Sequence, residues 1–173
     1  MTVLGLSGGT WVKAIAGYTG LLAAAEQVER DSKYRHAARW AALEHKPLLL
    51  IGGPLGAAGW RRTFLFRAHG CGDVCLDLDA RACGACPSVE ADVREIPFPE
   101  GYFGAALASH VLEHLDTPAD AVTALNEMAR VADHVLVACP SKLSPFGWLA
   151  PGHNLWVHQR PDGSVEIKPK WHL

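Results

Sequence analysis

The segment KPLLLIGGPLGAAGW, residues Lys46–Trp60, decides the fold of this chain. It opens with an apolar run over 48–51 and continues into a turn that contains Gly52, Gly53 and Gly56. A short apolar run bounded by turn residues is typical of a strand buried on both faces. Glycines after such a strand permit a tight turn and a close approach of backbone to a ligand. The segment therefore predicts the first strand and turn of a doubly wound sheet, where nucleotide-like ligands bind.

The composition indicates a folded protein without a basic surface for nucleic acid. Of the 173 residues, 49% are hydrophobic and 20% are charged, which is sufficient for one buried core. The 16 basic and 18 acidic residues give a formal charge of -2, so the positive charge typical of nucleic-acid binding is absent. The 5 cysteines, an odd number in a chain without a secretory n-region, predict reduced thiols and a cytoplasmic protein.

Strand and helix signals alternate along the chain. Strands are predicted over 73–79, 89–92, 104–109 and 135–138, and helices over 57–68 and 117–130. Thr117, Pro118 and Asp120 supply a cap, a proline at the first helical position and an acid in the first turn. The order predicts an α/β fold with a doubly wound, mainly parallel sheet. The turn 161–163, between two further apolar runs, predicts a C-terminal β-hairpin that closes the sheet edge.

An apolar helical arm is predicted before the sheet, so that residues 1–45 form the arm and 46–173 the α/β domain. Residues 3–25 carry only one formal charge, Lys13, and about 20 apolar residues suffice to cross a bilayer. A cation near the middle of a span costs about 2.5–3.5 kcal/mol on insertion scales, which disfavours a transmembrane segment. We expect the arm to pack on the domain or on a protein partner, and contact with a membrane is the alternative.

Four cysteines lie close together around the second predicted strand. The pair Cys83 and Cys86 has the two-residue spacer of zinc and redox sites. Cys71 and Cys75 flank or lie in the strand, where a cysteine packs as a small hydrophobic residue. We therefore expect no four-thiolate metal site, and a reversible Cys83–Cys86 disulfide stays open.

Acidic residues end the second and third predicted strands. Asp77 follows Gly56 by 21 positions (77 minus 56), the spacing of an acid that accepts hydrogen bonds from ribose hydroxyls. Asp92 ends the third strand. A glycine-rich turn followed by two such acids suits one nucleoside at the carboxyl edge of the sheet.

The run EADVREIPFPEGYFGAALASHVLEHLDTPADAVTALNEMARV, residues 90–131, resembles the class I S-adenosylmethionine-dependent methyltransferases, in particular the small type 11 group. The resemblance extends from about Leu48 to Pro140 and implies a Rossmann-like fold with S-adenosylmethionine as cofactor. The implied activity is methyl transfer to a small-molecule or lipid-like acceptor.

The resemblance also implies roles for individual residues. Gly52, Gly53 and Gly56 of the first turn would line the methionine side of the cofactor. Asp77 would hold the ribose, and Asp92 would face the adenine amino group. Ser109 and His110 would form the wall beside the methyl group. His110, and His153 in a late loop, are the candidates for removing a proton from the acceptor.

Two departures from the family pattern favour an alternative function. Leu50 stands where the family has an acid at the end of the first strand, and Pro54 stands where it has a glycine and removes one N–H donor. The alternative is a catalytically degenerate methyltransferase-like subunit that serves as an interaction module in a larger or membrane-associated complex.

His110-Val-Leu-Glu-His114 also matches the H-x-x-E-H motif of zinc peptidases. That chemistry needs both histidines on one face of a stable helix and a third ligand downstream. Here a strand precedes the motif and Thr117 with Pro118 follows it, which leaves room for barely one turn. We therefore expect no metal site from this motif.

Overall fold

The central sheet is built from the apolar runs that the sequence predicts as strands. The computed structural model describes residues 8–53 and 69–170, and every structural statement below refers to these ranges. In chain order the elements are α1 (Gly8–Leu43), β1 (Leu48–Ile51), β2 (Val74–Asp77), β3 (Ser88–Glu90), β4 (Phe103–Ser109), α2 (Pro118–Val131), β5 (Ala132–Ala138), α3 (Pro145–Leu149), β6 (Leu155–Gln159) and β7 (Val165–Pro169). The helix predicted over 57–68 lies outside the described residues, as do Pro54 and Gly56.

The five strands β1–β5 form one parallel sheet in the order β3-β2-β1-β4-β5. This is the strand order of a doubly wound fold, and it confirms the predicted fold class. The direction of strand addition reverses between β1 and β4, so the crevice beyond their carboxyl ends is the topological switch point.

Helices cover both faces of the sheet. On one face, Ala37 and Ala41 of α1 pack against Leu50 and Leu107, all of them buried. A β-carbon at Gly104 would lie 2.8 Å from the Ala41 Cα, so α1 rests directly on β4. The opposite face packs against α2 through a cluster of larger side chains, which includes Leu49, Ile51, Met128 and Val131. Burial on both faces explains why β1 and β4 are apolar throughout.

The predicted arm is a single helix, α1, whose two halves differ. The second half forms part of the core, as described above. The first half exposes large apolar side chains, among them Val12, Ile15 and Leu21. Among the described helices, none contains a stretch that is long and apolar enough to span a membrane.

The start of α2 is formed as predicted. The Thr117 hydroxyl accepts a hydrogen bond from the Asp120 backbone N–H, and the Asp120 carboxylate accepts one from the Thr117 N–H. These reciprocal bonds satisfy donors that the first turn of a helix leaves unpaired.

The C-terminal hairpin forms, but it does not extend the sheet. β6 and β7 pair with each other in a separate antiparallel sheet. The side chain of Gln159 bridges the two sheets: its Oε1 accepts from the Val137 N–H at 2.9 Å, and its Nε2 donates to the Val135 carbonyl at 3.0 Å. The Gln159 amide thus forms hydrogen bonds with the edge of β5, where a strand of the hairpin was expected. These bonds protect that edge from pairing with strands of other chains.

Replacing Gln159 by Met keeps the length of the side chain and removes both hydrogen bonds. We expect the free energy of unfolding, measured by urea denaturation, to fall by about 1–3 kcal/mol, because one backbone donor and one acceptor lose their partners. His158→Ala, an exposed position on the same strand, is the matched control. Equal stability of Gln159→Met and this control would contradict the bridging role.

Four of the five cysteines are paired, which corrects the expectation of reduced thiols. Disulfides join Cys71 to Cys86 and Cys75 to Cys83. The 3-10 turn Ala80–Cys83 folds back along β2 and brings Cys83 to Cys75. The Cys83–Cys86 disulfide that the sequence leaves open does not form, because each of these two cysteines bonds to a different partner.

Non-reducing peptide mapping of alkylated protein should recover the two crossed peptides and an alkylated Cys139. The Cys71–Cys86 bond closes a loop with a sequence separation of 15, so the double variant Cys71→Ser/Cys86→Ser should lose about 3 kcal/mol of unfolding free energy. Recovery of a Cys83–Cys86 peptide, or alkylation of all cysteines, would overturn the pairing.

Candidate functional site

The turns that follow β1 and β4 meet at the switch point. Gly52 has a φ of +87°, and a β-carbon there would lie 2.5 Å from both the Ser109 carbonyl oxygen and the Val111 Cγ2. A β-carbon at Gly53 would lie 2.0 Å from the Ala82 carbonyl oxygen. Both glycines are therefore required by contacts within the protein. Gly56, the third predicted glycine, lies outside the described residues.

Asp77 ends β2 beside this turn, as the sequence predicts. Its Oδ2 accepts a hydrogen bond from the Gly53 N–H at 3.1 Å, and its Oδ1 accepts one from the Asp79 N–H at 3.0 Å. The side chain is fixed at the carboxyl edge of the sheet, and each carboxylate oxygen keeps further acceptor capacity.

Asp92 lies in the turn after β3, where both of its oxygens contact Arg94. The Arg94 guanidinium donates to Oδ1 and Oδ2 at distances between 2.6 and 3.1 Å. The same guanidinium also donates to Asp120 at the start of α2. The hydrogen bond from Arg94 lowers the pKa of Asp92. The predicted adenine-facing residue is thus part of an ion-pair network that ties the β3 turn to α2.

Ser109 ends β4 and pairs with a histidine that the sequence analysis did not select. Ser109 Oγ lies 3.0 Å from His69 Nε2, and His69 Nδ1 lies 3.1 Å from the Gly70 carbonyl. Since a carbonyl only accepts, Nδ1 carries the proton and Nε2 accepts from the Ser109 hydroxyl. Burial lowers the pKa of His69 to about 4, which keeps the ring neutral. The ring also stacks on Tyr34, with centroids 5.3 Å apart.

His110 has an uncommon backbone conformation for a residue other than glycine. Its φ is +55°, and its N–H donates to the Ala138 carbonyl at 2.8 Å, which ties the ends of β4 and β5 together. The His110 Nδ1 lies 3.3 Å from the buried Glu113 Oε1. Burial acts to raise the pKa of Glu113 and the His110 ring acts to lower it, with a net downward shift.

The second candidate base, His153, joins the same edge from the loop before β6. Its ring lies against the His114 ring, with centroids 4.6 Å apart. Burial lowers the pKa of His153, which favours the neutral form that accepts protons. The Cys139 thiol, at the end of β5, lies near Glu113, and burial followed by the Glu113 charge raises its pKa.

The structure therefore brings together most of the predicted site residues. Gly52, Gly53, Asp77, Ser109 and His110 all lie where the carboxyl ends of the central strands meet. His69 and Glu113 were missed because their importance depends on burial and on partners distant in sequence. The H-x-x-E-H motif gave the position of Glu113, but only the fold shows that its carboxylate points into a buried environment.

Comparison with known proteins finds one matching family model. A family model described as a methyltransferase domain matches residues 59–134, which is less than half of the chain and begins after the glycine turn. The resemblance to class I methyltransferases is confirmed over these residues. No curated protein matches the chain.

Two solved structures illustrate the range of similarity. The PH0226 protein from Pyrococcus horikoshii OT3 has 13% identity and a TM-score of 0.45, with 83% of this chain and 72% of that chain covered. The 1,6-didemethyltoxoflavin-N1-methyltransferase of Burkholderia thailandensis, with bound 1,6-didemethyltoxoflavin and S-adenosylhomocysteine, has 19% identity and a TM-score of 0.33. This second match covers 76% of this chain but only 62% of that enzyme.

The neutral His69 predicts a specific loss of stability at acidic pH. Because its folded pKa is about 4 and its ordinary value is 6.5, its contribution is present above pH 6.5 and is lost as the pH falls toward 4. The full effect is about 3 kcal/mol. Unfolding free energies of wild type and His69→Gln should therefore converge between pH 6.5 and 4, whereas His158→Gln should stay parallel to wild type. A constant difference across this range would refute the neutral assignment.

Proposed function

We propose that this chain, part of which matches a methyltransferase domain, binds S-adenosylmethionine and transfers its methyl group to a small-molecule or lipid-like acceptor. The observation that carries the proposal is Asp77, held by the Gly53 and Asp79 N–H groups at the switch point. A carboxylate fixed there is suited to accept hydrogen bonds from the two hydroxyls of a ribose.

The residues present fit such a cofactor. Each oxygen of Asp77 accepts one backbone hydrogen bond and retains a lone pair for a hydroxyl group. The positive φ of Gly52 turns the chain sharply after β1, beside the end of β4. Asp92 contributes a carboxylate at the next strand end, and its lowered pKa keeps it charged. We assign the ribose to Asp77 and the adenine side to Asp92.

Ser109 and His110 would form the wall beside the reacting atoms. When bound, S-adenosylmethionine supplies an electrophilic methyl group on a sulfonium. The His69 ring fixes the Ser109 hydroxyl, so that this wall is rigid. In this proposal His110 would accept a proton from the acceptor, and the nearby Glu113 carboxylate would stabilise the resulting imidazolium, as an acid does for a catalytic histidine.

His153 is the second candidate for the proton acceptor. The neutral form of its ring is favoured by burial, and the ring reaches the same edge from the loop before β6. In both assignments the protein contributes mainly by aligning acceptor and methyl donor, which accounts for much of the rate in such transfers.

A non-catalytic interaction module is the second candidate function. Leu50, which stands at the position of the family acid, is fully buried under α1 and offers no polar group to a ligand. The backbone of Gly53 is already packed against Ala82. The exposed apolar side chains in the first half of α1 would then serve for contact with a protein partner or a membrane.

Calorimetric titration with S-adenosylhomocysteine and S-adenosylmethionine distinguishes the two functions. Asp77→Ala should weaken binding about 10- to 100-fold, because a charge-assisted hydrogen bond contributes about 1.5–3 kcal/mol. Asp133→Ala is the matched control, since this acid pairs with Lys46 at the start of β5, on the opposite edge of the sheet.

No heat of binding for the wild-type chain at millimolar cofactor would reject the methyltransferase function and leave the interaction module. Equal losses in Asp77→Ala and Asp133→Ala would reject the assigned site.

A further inference from the structure

Three potential metal ligands converge at the sheet edge from two segments of the chain. Glu113, His114 and His153 each offer one ligand atom, and these atoms lie within 4.8 Å of one another. The segments are joined by the Asn154 N–H, which donates to the Glu113 carbonyl at 2.8 Å. The cluster is thus fixed by main-chain contacts and does not depend on a single flexible side chain.

The carboxylate of Glu113 lacks a satisfactory partner. The residue is 1% exposed. Among the described residues, no group donates a hydrogen bond of good geometry to either of its oxygens. Its neighbours are the His110 ring, 3.3 Å away and charged only when protonated, and the Cys139 thiol, a weak donor. A buried carboxylate without compensation is costly, so this environment favours a bound cation.

A backbone carbonyl holds the His114 ring. His114 Nδ1 lies 3.0 Å from the Gly152 carbonyl and donates to it, so Nε2 is the nitrogen with a free lone pair. In metal sites, a histidine that binds a metal usually donates its other N–H to a carbonyl or carboxylate, which fixes the ring. The arrangement around His114 has this form, and the His153 ring packs against it with centroids 4.6 Å apart.

We propose that Glu113, His114 and His153 bind one divalent transition-metal ion, with zinc as the best match. Two imidazoles and one carboxylate form a three-ligand set that leaves a coordination position open. Ligand atoms around tetrahedral zinc are about 3.4 Å apart for bonds of 2.0–2.2 Å, so the three side chains move closer on binding. His114 is exposed and His153 is half-buried, so small rotations of these side chains bring the ligand atoms together while the main-chain bond between Asn154 and Glu113 stays in place.

This site differs from that of the H-x-x-E-H peptidases. The motif's first histidine, His110, is not a ligand, and the third ligand comes from a loop 39 positions beyond His114 (153 minus 114). The sequence predicts no metal here because the chemistry of that motif needs two histidines on one helix face. The 3-10 turn Leu112–His114 instead presents Glu113 and His114 toward His153.

The position of the ion gives it a role if the chain is a methyltransferase. An acceptor oxygen in the open coordination position would lose its proton more readily, because a bound cation stabilises the oxyanion. This role rests on the proposed function and on His110 as the proton acceptor, because a His153 ring bound to the metal cannot also accept a proton. Metal binding itself does not rest on the proposed function.

The test is titration of metal-free, untagged protein with Zn²⁺ by calorimetry, and with Co²⁺ by visible absorption. We expect one ion per chain. Loss of a group that only hydrogen-bonds to a metal ligand costs about 10- to 100-fold in metal affinity. Loss of a ligand itself, in Glu113→Gln, His114→Ala or His153→Ala, should cost at least that much. His134→Ala and His158→Ala, histidines outside the cluster, are the matched controls and should bind as wild type does.

The outcomes separate the metal site from the methyltransferase function. The proposal is overturned if wild type binds no zinc at 1 mM total metal (roughly the weakest affinity of interest), or if the controls lose affinity equally. A cobalt–thiolate absorption band that Cys139→Ser abolishes would also overturn it, since the ion would then lie on the cysteine. If Glu113→Gln does not fold, the variant of the exposed ligand, His114→Ala, decides. Zinc binding by a chain that does not bind S-adenosylhomocysteine would support the metal site and reject the proposed methyltransferase function.

Discussion

The contact between the ends of β1 and β4 is the constraint on which the site depends. A β-carbon at Gly52 would lie 2.5 Å from the Ser109 carbonyl oxygen, so the two turns are as close as backbones permit. The contact fixes Gly53 beside Asp77 on one side of the crevice and His110 beside Glu113 on the other. Because the strands are parallel and hydrogen-bonded in register, a substitution at Gly52 would displace both halves of the site.

The sequence predicts those features that local physics determines. Apolar runs such as 48–51 must be buried on both faces, and the Thr117–Asp120 capping box is encoded within four consecutive residues. The position of Asp77 is also predictable, because the carboxyl ends of parallel strands all lie at the same edge of the sheet. Fold class and the place of Asp77 at the carboxyl edge of the sheet follow from such local signals.

The features that sequence does not predict are those decided by tertiary contacts. The disulfide partners depend on how the turn after β2 folds back, which the spacing of Cys83 and Cys86 does not reveal. The hairpin fails to join the sheet because the Gln159 amide already pairs with β5. His69 pairs with Ser109 and His153 lies close to Glu113, and neither pair is close in sequence.

The packing of α1 on the sheet explains the absence of an acid at position 50. Leu50 is 0% exposed and belongs to the cluster that Ala37 and Ala41 form with β4. A carboxylate at this position would be buried against alanine side chains without a partner, which would destabilise the contact between α1 and the sheet. The chain therefore places its buried acid elsewhere, at Glu113, where histidines surround it. The buried negative charge of the crevice thus lies beyond the end of β4 and not in the turn after β1.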